Sequence, residues 1–196
     1  MKVLIGCERS QEVTKAFREL GHDAWSCDIL PTEGNPNYHI QDDILKHLND
    51  GWDLAGFHPD CRYLAVSGAR YFKDRKVQQA EALDFVEQLL YCKIPKLYLE
   101  NPIGVISSKI RKPDQIIQPY EFGEDASKKT CLWLKNLPLL KPTNIITKDR
   151  YSNQTPSGQN KLGPSIDRAY LRAKTYPGIA QAMAQQWGTT REDILA

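Results

Sequence analysis

Apolar residues gather along this chain in short runs, and most runs stop at a proline, a glycine or an acid. Val3 to Gly6 is short and apolar enough for a buried strand. From Ser10 to Leu20 the period turns helical, with Val13, Phe17 and Leu20 on one face and Gly21 to close the helix. Ala24 to Asp28 reads as the next strand, with an acid at its end. A further apolar run after Trp52 halts at His58-Pro59, because proline cannot donate to a ladder and drives the preceding residue out of helical geometry. Lys76 to Tyr91 is the clearest helix, its broad apolar face carrying Ala80, Leu83, Phe85, Val86, Leu89 and Leu90. It leads into a strand from Lys96, which is stopped at Pro102. A strand from Thr130 to Leu134 and a helix from Ile179 to Trp187 complete the pattern.

A helix that joins two apolar strands implies a parallel crossover. The expected fold is therefore α/β, with the chain from 1 to 196 forming one domain. Residues 149–165 are rich in Ser, Asn, Gln, Gly and Pro and are expected to form a mobile loop. His39 to Ile44 leads into a short helix through Leu48.

Charge narrows the partner only slightly. Lysine and arginine number 26 against 24 acids, a net charge of +2, which permits a nucleic acid without demanding one. Basic residues cluster at Lys109 to Lys112, at Lys128-Lys129 and around Arg168, Arg172 and Lys174; the plain reading of Lys109, Arg111 and Lys112 is a solvated loop. Five cysteines, with no Cys-x-x-Cys pair and no secretory leader, point to a reducing, cytoplasmic setting and away from disulfides or structural zinc. No apolar run is long enough to cross a membrane.

Two strand ends carry candidate chemistry. Cys61 falls just beyond the strand that ends at His58-Pro59, and open α/β sheets place their chemistry at the carboxyl ends of strands. Most lone cysteines are small buried hydrophobes, which is the reading for Cys7, Cys27, Cys92 and Cys131. Cys61 differs in sitting on a loop beside Arg62, since a nearby cation favours the thiolate. Glu100 ends the following strand and alone would read equally well as a salt-bridged terminus. Together they offer one pocket a nucleophile and an acid.

The opening strand-helix-strand-acid unit resembles a nucleotide-binding unit, in which Asp28 can accept hydrogen bonds from ribose hydroxyls. The phosphate-binding Gly-x-Gly-x-x-Gly is absent. Gly6-Cys7-Glu8-Arg9-Ser10 takes its place, and an acid there suits a ligand with a cationic centre. Asp42-Asp43 reads either as a helix cap or as an acid that reads an adenine amino group.

These elements resemble, in order and over most of the chain, the DNA methyltransferases that modify carbon 5 of cytosine. The nearest likeness is to a compact phage and prophage group without a large target-recognition domain. Pro59, Asp60 and Cys61 match that family's Pro-Pro-Cys loop, with Asp60 in place of the second proline. Glu100-Asn101-Pro102 resembles its Glu-Asn-Val element. Phe122-Gly123 and Ser127 to Thr130 resemble its Tyr-Gly and Gln-x-Arg-x-Arg stretch with lysines for arginines, and Tyr176 to Ala184 its closing helix.

The resemblance implies a Rossmann-like sheet, with helices on both faces, that binds S-adenosylmethionine. It implies catalytic Cys61, Glu100 and Lys129, and cofactor contacts at Gly6, Glu8, Ser10, Asp28, Asp43 and Pro59. DNA, single-stranded DNA or a cytosine nucleotide would be the substrate, attacked by Cys61 while a protonated Glu100 holds the ring nitrogen. Only about 45 residues separate the Lys-Thr strand from the last helix, so a protein partner is expected to supply target recognition. Two rivals stand beside this reading: a non-catalytic DNA- or protein-binding relative, and another pyrimidine modification that uses the same Cys and Glu.

Overall fold

Seven strands form one sheet in the order β3-β2-β1-β4-β5-β7-β6. They are β1 (Lys2–Gly6), β2 (Asp23–Cys27), β3 (His39–Ile40), β4 (Leu54–Phe57), β5 (Lys96–Pro102), β6 (Gln115–Ile117) and β7 (Thr130–Lys135). The first five run parallel, and β7 lies antiparallel between β5 and β6. The computed structural model describes residues 1–163, 165 and 168–189. The stretches assigned above to the single domain and the mobile loop therefore include a few positions outside the described residues.

Side chains alternate across a strand, so each strand feeds two cores. On one face Val3, Ile5, Tyr98 and Leu132 pack with Val13 and Phe17 of α1 (Glu12–Glu19) and with Ile179, Met183 and Trp187 of α5 (Pro177–Trp187). On the other, Leu4, Leu97, Leu99 and Trp133 pack with Val86, Leu89 and Leu90 of α2 (Lys76–Leu90). Helices thus cover both faces, the expected α/β, Rossmann-like architecture. Two shorter helices complete it, α3 (Ile106–Lys109) and α4 (Arg168–Ala173). Among the described residues no helix is long and apolar enough to cross a membrane.

The order reverses at β1, whose neighbours β2 and β4 lead to opposite edges, and the carboxyl ends of β1, β4 and β5 meet there. Such a switch point leaves a crevice that helices do not fill. Four strands and helices were not anticipated: β3, α4, and α3 and β6 in and beside the polar run from Ser107 to Tyr120. Each is only a few residues long, too short to show a period.

Candidate functional site

β4 and β5 are direct neighbours in a register that sets Phe57 opposite Leu99. One step further along each strand stand His58 and Glu100, and three residues beyond His58 comes Cys61. The Cys61 carbonyl oxygen accepts from the Leu64 and Ala65 N–H groups, which closes the loop into a turn. That turn is fastened to the end of β5. Asn101 donates to the Pro59 carbonyl at 2.8 Å, Val66 N–H to Ile103 and Val105 N–H to Leu64. Gly104 permits the approach, because a Cβ there would lie 2.1 Å from the Leu64 carbonyl oxygen.

The charge of Glu100 reaches Cys61, although Cys61 does not line the cavity beside Glu100. Burial, then the charges of Asp60 and Glu100, push the Cys61 thiol above its ordinary value, and the Lys128 ammonium opposes them. The expectation that Arg62 would favour the thiolate is corrected: its guanidinium is engaged by the Asp60 carboxylate at 2.8 Å, both side chains largely exposed. Glu100 is 9% exposed. Burial raises its carboxyl, but Lys128, the His58 ring and the Thr130 hydroxyl outweigh burial and hold it below its ordinary value. The resting acid is thus held toward the carboxylate, where a protonated group was expected, because the Lys128 charge and the His58 and Thr130 side chains together outweigh burial. Beside it lies a cavity of about 10 Å³ lined by Lys128, Thr130, Thr175 and Tyr176 among others. That is room for one water.

The cation whose field reaches both groups is Lys128; Lys129, next in the chain, is exposed. Lys128 is set in place by its neighbours. Its N–H donates to Gln118 Oε1 at 2.9 Å, and Asn153 brackets Ser127 by donating to its carbonyl at 2.9 Å and accepting from its N–H at 3.0 Å. Asn153 lies in the polar stretch read as a loop, which here holds a bridge between Gln154 and Asn160. Of the basic loop, Arg111 is engaged by Asp114 at 2.8 Å and by the Leu134 carbonyl at 3.0 Å, in keeping with the plain structural reading.

The expected cofactor residues divide. Asp28 and Asp43 converge on Cys7, and after burial their charges, with those of Cys27 and Asp60, raise its thiol. Each carboxylate turns one oxygen to a local N–H, Asp28 to Leu30 at 2.9 Å and Asp43 to Leu45 at 3.0 Å. Asp43 therefore caps the short helical turn Ile44–His47, the first of its two readings. Gly6 is required for packing, since a Cβ would lie 2.9 Å from Ile44 and Phe57. Pro59 ends β4 under the Asn101 hydrogen bond. Ser10 falls apart from these, on an open groove beside α1 that it shares with Lys15, Arg18 and Tyr38.

Glu8 lies elsewhere than a sulfonium partner would require. It is 5% exposed, and its two carboxylate oxygens accept from Val13 N–H at 2.7 Å, Thr14 N–H at 3.2 Å and the Thr14 hydroxyl at 2.7 Å. These N–H groups open α1, so Glu8 supplies the helix cap from outside the helix. The donor set therefore fits the hydroxyls and amine of a nucleoside at Asp28 and Asp43, and leaves Glu8 out of it.

Three residues of the site escaped sequence reasoning. His58 was read only as the residue before a proline. Its Nδ1 lies 3.4 Å from Glu100 Oε2 and its Nε2 3.0 Å from the Tyr98 hydroxyl. Tyr98 reaches it because Gly56, directly opposite, has no Cβ to collide with the ring. Lys128 was the third, masked by the adjacent lysine.

No family model matches the chain. No curated protein matches it either. Among solved structures it is similar to that of an E. coli protein encoded within a prophage and described as a candidate DNA modification methyltransferase. The two are 15% identical, with a TM-score of 0.48, over 74% of this chain and 52% of the other. The chain thus spans about half the length of that structure.

Proposed function

We propose that this chain is an S-adenosylmethionine-dependent methyltransferase acting on carbon 5 of cytosine, in DNA or in a cytosine nucleotide. One observation carries the reading: adjacent parallel strands carry at their carboxyl ends a thiol and a carboxyl whose charge reaches it, with a lysine acting on both.

Carbon 5 of cytosine is a poor nucleophile. Addition of the Cys61 thiolate at carbon 6 turns the ring into an enamine that is electron-rich at carbon 5. Glu100, once protonated, donates to ring nitrogen 3 and neutralises the charge that develops there, a step worth about two to four orders of magnitude in rate. Lys128 steadies the thiolate. The donor, when bound, supplies an electrophilic methyl on a sulfonium, and Asp28 and Asp43 are the residues that would hold its ribose hydroxyls and adenine amine. Carbon 5 takes the methyl, its proton passes to solvent, the nitrogen 3 proton returns to Glu100, and expulsion of the Cys61 thiolate restores both ring and enzyme.

A pyrimidine ring is larger than the cavity beside Glu100, so residues that line it must move for the base to enter. In duplex DNA the base must also leave the stack, at a cost of a few kcal/mol that a single strand largely avoids. The same narrow cavity, with the raised thiol, is what favours a non-catalytic binding protein as the second reading. Turnover separates them. Labelled methyl should pass from S-adenosylmethionine to deoxycytidine in oligonucleotides, and C61A should abolish transfer; transfer that survives in C61A contradicts the reading.

A further inference from the structure

His58 stands out because nothing in the reaction above uses it, although it touches the acid. Its side chain is 8% exposed. The ring is held from several sides: Nδ1 lies 3.4 Å from Glu100 Oε2, Nε2 lies 3.0 Å from Tyr98 Oη, and the backbone N–H donates to the Gly6 carbonyl at 3.0 Å. It meets the Tyr98 ring edge-on, 5.5 Å between centroids, and Tyr98 is in turn packed at 5.0 Å against Trp187. A buried imidazole held so firmly has one thing left to change, its proton.

The groups around it are known from each packed element. From the β1–α1 loop comes Glu8, whose buried carboxyl feels the His58 charge. From β5 come Tyr98 and Glu100, and from the segment that precedes β7 comes Lys128, which acts on Glu100. The α5 residues packed nearby, Met183 and Trp187, carry no charge. The ring therefore lies between two carboxylates, while the reaction requires one of them to become an acid only when a base is present.

We propose that His58 is the proton store of Glu100, a positioning residue that keeps the acid ionised in the resting site and protonates it as the pyrimidine binds. The inference rests on the reaction proposed above. On this proposal the resting ring carries a proton on each nitrogen, with Nδ1 3.4 Å from Glu100 Oε2 and Nε2 3.0 Å from Tyr98 Oη. When ring nitrogen 3 of cytosine replaces water beside Glu100, the Nδ1–H bond breaks and an O–H bond forms on the carboxylate. His58 is left neutral with its proton on Nε2, still donating to Tyr98, so no side chain has to turn. The new carboxylic acid donates to nitrogen 3, and the proton returns to Nδ1 when the product leaves. Nothing is consumed. A lone buried acid would have to draw its proton from water through a cavity about one water wide.

The test is an NMR titration of the full-length protein labelled with carbon-13 in its glutamate and histidine side chains, with E100Q and E8Q assigning the carboxyl signals. In H58Q the Glu100 midpoint should rise by about one pH unit, a tenfold gain in proton affinity. A Glu100 midpoint that stays put in a folded H58Q overturns the proposal. If H58Q does not fold, H58N is titrated in its place, and an unmoved Glu100 midpoint there overturns it. In the transfer reaction H58Q should lower kcat, leave KM for the cytosine substrate near wild type and displace the acid limb of the pH profile. The titrations need no turnover, so a wild-type chain that transfers no methyl contradicts the reaction while the coupling of His58 to Glu100 is still judged.

Discussion

Asn101, the residue after Glu100, donates its side-chain N–H to the Pro59 carbonyl oxygen at 2.8 Å, tying the end of β5 to the loop that carries Cys61. Asn101 is 1% exposed, so its loss strands a buried carbonyl without a donor. N101A should destabilise the protein by about 1–3 kcal/mol and slow methyl transfer more than it weakens substrate binding. Urea unfolding gives the first quantity and the split between kcat and KM the second.

A methyl group at position 56 tests how His58 is reached. Glycine to alanine in a strand is stabilising where the backbone tolerates it, by about 0.4–1 kcal/mol. At Gly56 a Cβ would lie 2.3 Å from the Tyr98 ring, which is fully buried and cannot retreat. Overpacking therefore wins, and G56A should be destabilised by about 1–3 kcal/mol. An increase in unfolding midpoint would show that Tyr98 has another place to go.

The reactivity of Cys61 reports its neighbours by sign. Burial, then Asp60 and Glu100, raise the thiol and Lys128 lowers it. Alkylation of Cys61, followed by peptide mass spectrometry, should therefore have its pH midpoint above the ordinary thiol value. E100Q should bring that midpoint down, and K128A should push it up. K129A, which removes the exposed neighbour, should leave it in place.

Acid stability separates the two buried glutamates. Glu100 is held below its ordinary value near 4.5, so its contribution is complete above that value and fades as the pH falls through the folded one. Glu8 is raised, chiefly by burial, so its ionised form costs stability that is recovered on acidification. E100Q should accordingly flatten the loss of stability below about pH 4.5, and E8Q should steepen it. Urea midpoints across the acid range read both slopes.

The strand ends were legible because chemistry announces them: a proline after His58 and another after Asn101 stop apolar runs, with Cys61 just beyond the first and Glu100 just before the second. Pairing was harder to read. His58 and Glu100 meet because β4 and β5 pair with Phe57 opposite Leu99, and no single strand contains its own register. Glu8 shows a different limit, since an acid in a glycine-poor turn suits a cationic ligand and a helix amino end equally, and only the backbone path of residues 8–14 chooses the helix. The choice between Lys128 and Lys129 depends on which precedes Thr130 by an even step on the face that holds Glu100. The short α3 and β6 carry no period long enough to find.

The central claim is that Cys61 bonds to carbon 6 of cytosine, and a fluorinated base tests it most directly. With fluorine at carbon 5 there is no proton to lose after methyl transfer, so the adduct cannot break down. Incubation of the chain with S-adenosylmethionine and an oligonucleotide carrying 5-fluorodeoxycytidine should give a stable covalent complex, with the added mass on the peptide that contains Cys61. C61A should give none. A complex that forms through another residue, or none at all from a chain that does methylate cytosine, would contradict the account.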